Sequence, residues 1–269
     1  MDVALSRNGR RIMRVFFALV IVFLYAPIAI LLVFSFNSSP VPVFPLTGLT
    51  LRWYHDFLTN ADLHGALETS AIVAALSSVG AVALGVLAAI ALTRRRFRGQ
   101  LGVTALLLSP LVIPLVVLGV SLLLLFHQLG IQPSILAVTI GHIVIVLPYT
   151  ILVIMPRLEQ IDASLAEAAY DLGAGPLTTF RRVTLPLILP AIVSAFLIAF
   201  TTSFDEFAVA SFLVGPRLTF PVYLYSALRF PSRLPQVIAV AVVVILVTLV
   251  VIVAIEVWRR RAEARLEAA

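Results

Sequence analysis

Cysteine and lysine are both missing from the 269 residues, and only 12% of the chain is charged. Without cysteine there is no disulfide, no thiolate nucleophile and no cysteine-ligated metal, and the redox compartment cannot be read from thiols. Without lysine no G-x-x-x-x-G-K-[ST] phosphate loop can exist, so the chain is not expected to hydrolyse ATP by itself. Charge this sparse, against about 25% in soluble domains, excludes a soluble enzyme. The four histidines, His55, His64, His127 and His142, are scattered. No pair has metal-ligand spacing, and each is expected to fill a hydrogen-bonding or interfacial role.

What the chain has in excess is apolar sequence, at 61% hydrophobic. A helix crossing the hydrocarbon core needs about 20 mostly apolar residues. Six runs qualify, near residues 15–36, 67–93, 101–126, 135–155, 187–212 and 236–258. The sequence therefore predicts an all-α integral membrane protein of one domain with six transmembrane helices. The first run is longer than the apolar core of a secretory signal, about 7 to 15 residues, and reads as an uncleaved helix.

Every basic residue is arginine, and the net charge of +6 does not gather on one face as nucleic-acid binding requires. Arginines instead flank the runs. Arg7, Arg10, Arg11 and Arg14, then Arg94, Arg95, Arg96 and Arg98, then Arg157, Arg181 and Arg182, then Arg259, Arg260, Arg261 and Arg265 all fall on one side of a six-span chain. Arg52, Arg217, Arg229 and Arg233 fall on the other. The positive-inside rule makes the richer side cytoplasmic and puts both termini there. Glu68 at the start of the second run and Arg94 at its end agree with that direction through the helix dipole.

Pro27, Pro110, Pro114, Pro148 and Pro190 lie inside the runs. Each removes a backbone donor, which lipid tolerates only where neighbouring helices or a wet cavity satisfy the freed group. Proline and glycine are also simply frequent in membrane helices.

The polar stretch at residues 156–186 is amphipathic as no spanning helix would be. Ser164 followed three residues later by Glu167 fits a capping box, which predicts a helix with Ser164 as N-cap. Leu165, Ala168, Ala169 and Leu172 fall at i, i+3, i+4 and i+7 and make a small apolar face. Gly173 stands where a left-handed residue ends a helix, and Gly175-Pro176 turns the chain. So short a helix is marginal alone in water. Its apolar face must dock either on this chain's own helix ends or on a separate cytoplasmic protein, and spacing does not choose between them.

Glu167-Ala168-Ala169, Gly173 beyond Tyr170, and Val183-Thr184-Leu185-Pro186 together resemble the EAA loop of ABC importer permeases, the membrane subunits of binding-protein-dependent transport systems. The resemblance implies that the loop between the fourth and fifth helices is a coupling helix seated in a homodimeric ATPase. Ser164, Glu167, Ala168, Ala169, Gly173, Leu185 and Pro186 become the coupling residues. It also implies that ATP and magnesium are bound by that ATPase and that this chain needs no cofactor or metal. Further partners are a second, unlike permease and an extracytoplasmic solute-binding protein.

The fifth run carries Thr201-Thr202-Ser203-Phe204-Asp205-Glu206. An ionisable side chain at a span's centre costs about 2.5 to 3.5 kcal/mol, so two adjacent acids need a reason. Helical rise, about 1.5 Å per residue, places them in the outer third of the span. Thr201 and Thr202, one turn below, are positioned to hydrogen-bond them. Two readings stay open: one acid attracts a cationic substrate, or the acids are an outer-end feature paired with Arg217 or Arg229. Ser203 to Phe207 and Pro221 to Ser226 resemble the second subunit of spermidine/putrescine permeases, which implies a polyamine pathway including Thr202, Asp205, Glu206 and Tyr223. The same branch resembles permeases for ferric iron, phosphonates, thiamine and 4-aminobutyrate. An ion-coupled secondary transporter would instead favour inverted repeats and midplane charges. Neither is visible.

Overall fold

A computed structural model describes residues 7–94, 97–247 and 249–250. Arg95, Arg96, the arginines from Arg259 onward and the end of the sixth apolar run lie outside the described residues. The chain falls into two compact units, one made of the residues up to Asn60 and from Leu224, the other of Ala61–Tyr223. Among the described residues the structure is helical, with no strand beyond one isolated bridge between Asn37 and Leu49.

In the first unit, α1 (Arg7–Phe34) shows apolar side chains all round, with Phe16, Phe23 and Tyr25 exposed. A helix hydrophobic on every side is one made for lipid or for helix partners. The following loop is organised by Asn37, whose Oδ1 accepts from the Ser39 and Thr47 backbone N–H groups and whose carbonyl accepts the Trp53 indole N–H at 2.7 Å. Trp53 is buried on α2 (Arg52–Thr59). The apolar helix at residues 231–247 is fixed to α2 by Gln236 Nε2 donating to the Asp56 carbonyl at 3.2 Å.

The second unit is built on α3 (Ala61–Arg94). Its buried residues are mostly small: Ala66, Thr69, Ser70, Ala74, Ser77, Ser78, Ala81, Gly85 and Ala89. In lipid, apolar burial does not drive helices together, and small residues that let backbones approach supply the packing instead. The hydroxyls on this seam cost little, because Thr69 donates to the Gly65 carbonyl at 2.7 Å and Ser78 to the Ala74 carbonyl at 2.6 Å. Against the seam pack α6 (Ile135–Glu159) and a long helix at residues 176–204. Thr150 of α6 donates to the Ala81 carbonyl across the helix pair at 3.1 Å. Two apolar cores result, one around Val73, Val138, Val146, Ala199 and Leu213, the other around Val86, Ala89, Ile154, Leu158 and Ile188.

The third apolar run is not one helix. Between α3 and α6, α4 (Gln100–Leu108) passes through a 3₁₀ turn at Ser109–Leu111 and meets α5 (Leu115–Gln128) at 105°. Pro114 disfavours helical backbone at Ile113 and has no N–H of its own, so the ladder cannot cross it. Prolines elsewhere are absorbed: Pro148 and Pro156 lie within α6.

After α6 come α7 (Ala163–Asp171) and α8, the long helix at residues 176–204. Helix thus occupies most of the stretch at residues 156–186, up to Glu159 in α6 and from Pro176 in α8. Gly175-Pro176 opens α8, and a π-helical turn at Phe180–Thr184 carries it past Pro186, with the Leu185 N–H reaching back to the Phe180 carbonyl. Pro186 cannot donate into a normal ladder, and a widened turn just before it accommodates the loss. The fifth run also differs from expectation. Its helix ends at Phe204, the chain turns through Asp205 and Glu206, and only a short turn, α9 (Ala210–Leu213), follows. Then comes α10 (Phe220–Leu228), whose first N–H is accepted by Ser70 Oγ at 2.9 Å.

Candidate functional site

The break at Asp205 opens one wall of a cleft of about 650 Å³. Its other walls are Pro110, Leu111, Ile113 and Leu115 at the bend of the third run, and Ile145 and Tyr149 of α6. Thr201, Thr202, Asp205 and Glu206 all line it. Two interruptions far apart in sequence therefore face one space, as irregular backbone at membrane depth does where it lines a cavity. A hollow of about 680 Å³ in the first unit, lined by Val33, Phe36, Leu46, Leu49, Thr50 and Leu51, holds no ionisable side chain.

The two acids do different things. Glu206 is buried, and both its oxygens are engaged: Oε1 accepts the Val209 N–H and Oε2 the Ala210 N–H, each at 2.9 Å. The carboxylate thus caps the turn leading into α9. His142 Nε2, from the middle of α6, lies 3.1 Å from Oε2, off the line of a straight hydrogen bond. His142 Nδ1 meets Ser203 Oγ at 2.7 Å, and Ser203 Oγ meets Ser77 Oγ of α3 at 2.8 Å. The result is a buried polar chain, Ser77 to Ser203 to His142 to Glu206, that ties three long helices to the turn after the break. Buried ionic groups are tolerated only when paired in this way.

Asp205 faces outward into the cleft. It is exposed, and its carboxylate has no hydrogen bond or ion pair among the described residues, while its backbone N–H closes the last turn of α8 on the Thr201 carbonyl. The expectation that Thr201 would bond the acids is corrected: its hydroxyl donates to the Leu197 carbonyl at 2.8 Å, as β-hydroxyls in helices commonly do. The expectation of Arg217 or Arg229 as the acids' partner is corrected too, since Glu206 pairs with His142. Tyr223 is buried and does not line the cleft. His142 fills the hydrogen-bonding role expected of it, and what the sequence did not show is which groups it meets, Ser203 and Glu206.

The cytoplasmic-loop candidates form a second group. The N-cap of α7 is Asp162 and not Ser164: the Asp162 carboxylate accepts the Ser164 N–H at 2.9 Å. That bond holds the Asp162 carboxyl below its ordinary value. Ser164 sits inside the first turn, so the capping box with Glu167 does not form. At the other end Gly173 has φ +82°, the Ala174 N–H reaches the Ala169 carbonyl at 3.0 Å and the Gly173 N–H reaches the Tyr170 carbonyl at 2.8 Å. This is a complete Schellman closure. α7 packs on the opening turns of α8, yet Ser164, Leu165, Glu167, Ala168, Tyr170 and Leu172 are exposed and Ala169 is half-buried. Leu185 and Pro186 lie further on, within α8, half-buried and exposed respectively. Most of the apolar face read from the sequence is therefore uncovered.

Among the described residues the chain is helical, with helices long and apolar enough to cross a membrane, a helix broken at a polar cleft and a capped helix between two of the long ones, an architecture of the class of membrane subunits. Residues 81–267 match the family described as binding-protein-dependent transport system inner membrane component, and the chain belongs to that family. Its relatives include the putrescine transport system permease protein PotI of Escherichia coli K12, 41% identical over 215 residues, which cover 77% of this chain and 76% of that protein. They also include the spermidine/putrescine permease protein PotC of the same strain, 36% identical over 236 residues, which cover 87% of this chain and 89% of that protein. The fold matches a chain in the crystal structure of a bacterial ABC transporter involved in the import of the acidic polysaccharide alginate, with a TM-score of 0.73 over 95% of this chain and 98% of that one, at 20% identity.

Proposed function

We propose that the chain is one of two unlike permease subunits of an ATP-driven importer for polyamines of the putrescine and spermidine class. The observation that carries this reading is the Asp205 carboxylate, without a partner among the described residues, in a cleft whose other polar groups are the already engaged Glu206 carboxylate and tyrosine and threonine hydroxyls. An alkyl diamine needs acceptors for its ammonium ends and apolar wall for its methylenes, and the cleft offers both. At 41% and 36% identity, the relatives named for putrescine and spermidine support the same substrate class. An anionic phosphonate would meet carboxylates of its own sign.

In this reading six spans cross the inner membrane, the bent α4–α5 pair serving as the third and the helix at residues 231–247 opening the sixth, with both termini cytoplasmic. The exposed face of α7, with Glu167 and Ala168 outward, docks into a homodimeric ATPase that binds ATP and magnesium. Gly173 lets the chain leave that helix sharply, so that displacement of α7 is passed through the packed start of α8 to the cleft. An extracytoplasmic binding protein delivers the amine.

The test is reconstitution of the chain with its ATPase, companion permease and binding protein in proteoliposomes. Putrescine uptake that requires internal ATP is the expected result. Uptake driven by an ion gradient without ATP, or ATP-driven uptake of ferric iron, thiamine, a phosphonate or 4-aminobutyrate with no amine uptake, would overturn it.

A further inference from the structure

We infer that the two neighbouring acids divide their labour: Asp205 is the residue that meets the substrate ammonium, and His142, acting through Glu206, is the positioning residue that fixes where Asp205 stands. This rests on the polyamine reading of the cleft and assigns roles within it.

Glu206 lines the same space but has nothing left to offer a cation. Its side chain is 4% exposed, and its two oxygens already serve two backbone N–H groups and face the imidazole of His142. Asp205, one residue earlier, is exposed and without a partner among the described residues. A carboxylate already saturated by donors gains little from a further ligand, whereas an unpaired one gains a charge-assisted contact.

Asp205 is on a turn, where backbone is ordinarily free to wander. Two things hold this turn still. On the α8 side, Ser203, two residues before Asp205, is pinned by Ser77 and His142. On the α9 side, Glu206 is pinned by its own cap and by His142. Among the described residues His142 is the side chain that reaches both flanks, with Nδ1 hydrogen-bonded to Ser203 Oγ and Nε2 3.1 Å from Glu206 Oε2. The segment beyond is wedged as well: a Cβ on Gly119 would stand 2.7 Å from Phe212 Cδ2 and 3.2 Å from Val209 Cα, so α5 and the α9 turn are already in contact through that glycine. A carboxylate held this way keeps its direction in the absence of substrate, which reduces the ordering cost of binding.

The test is equilibrium binding of radiolabelled putrescine to the purified permease–ATPase complex without binding protein. Asp205→Asn is expected to raise Kd tenfold or more. His142→Ala is expected to raise Kd about as much. Combined with Asp205→Asn it should add less than twofold, because both changes remove the same contact; a merely structural loss would multiply. His142→Gln, which keeps an acceptor toward Ser203 and a donor toward Glu206, should bind within threefold of wild type. If His142→Ala does not assemble, Ser203→Ala, which removes only the hydroxyl supporting the ring, takes its place in the same double-variant comparison. Independent, multiplying effects of His142→Ala and Asp205→Asn overturn the inference, as does unchanged affinity in Asp205→Asn. Wild-type uptake without measurable binding to the complex also overturns it while sparing the transport reading, whereas absent putrescine uptake by the wild-type importer fails that reading itself.

Discussion

Ser77 Oγ lies 2.8 Å from Ser203 Oγ, joining the middle of α3 to the last turn of α8 across 126 residues of chain. Both side chains are buried, and Ser203 also holds His142. Because a buried donor or acceptor left alone costs about 1–3 kcal/mol, the two serines are not equivalent. Ser203→Ala strips His142 Nδ1 of its partner and should lower the midpoint of thermal unfolding of the purified complex clearly. Ser77→Ala leaves the Ser203 hydroxyl bonded to the imidazole and should lower it by less than half as much. Equal shifts would show that the chain of contacts does not run in this order.

Gly119 and Gly102 offer a matched pair in the two halves of the bent third run. An added Cβ at Gly119 meets Phe212 and the backbone of Val209 and Ala208, whereas at Gly102 it meets nothing within 4 Å. Gly119→Ala must push the turn that follows the acids, and overpacking of this kind costs about 1–3 kcal/mol. Uptake by Gly119→Ala at matched membrane abundance should fall at least fivefold, while Gly102→Ala transports normally.

Asp162 and Ser164 separate the cap seen in the structure from the one the sequence suggests. The Asp162 cap satisfies a backbone N–H that would otherwise be left open at the start of the helix, so Asp162→Ala should speed amide exchange across Ala163–Asp171 and weaken stimulation of ATP hydrolysis by loaded binding protein. Ser164→Ala should do neither. The pH dependence has a definite sign. A carboxyl whose value is lowered in the folded state caps the helix fully above its ordinary value and loses the bond only as pH falls through the lowered one. Exchange protection of α7 should therefore be flat from neutral pH down to the ordinary carboxylate range.

Gly173 has a left-handed backbone at φ +82°, which costs an L side chain about 1–2 kcal/mol. No atom crowds the site, so the penalty is conformational and not steric. Gly173→Ala should reduce coupled ATPase activity severalfold, and Gly173→Asn, better tolerated in that region, should retain more.

Much was legible in advance because it depends on local composition. The lipid-spanning runs, the arginine bias, the amphipathic α7 and the glycine that ends it are properties of short windows, and periodicity and stereochemistry report them directly. The boundaries that failed did so where backbone chemistry competes with hydropathy. Residues 101–126 and 187–212 are apolar enough to read as single helices, but Pro114 stops one ladder and the other ends at Phe204, before the turn that the Glu206 carboxylate caps.

By itself the sequence determined that this chain lives in a membrane, that it carries no nucleotide-binding lysine, and that a short capped helix interrupts its spans. Those conclusions need only transfer free energies, a missing side chain and one residue that tolerates positive φ. Only the tertiary structure decided that His142 lies against Glu206, that Asp205 is without a partner among the described residues, and that both helix breaks face one cleft. Pairing in a low-dielectric interior is set by which helices the small-residue seam of α3 brings together, and that geometry is written in contacts between residues 61 and 126 positions apart.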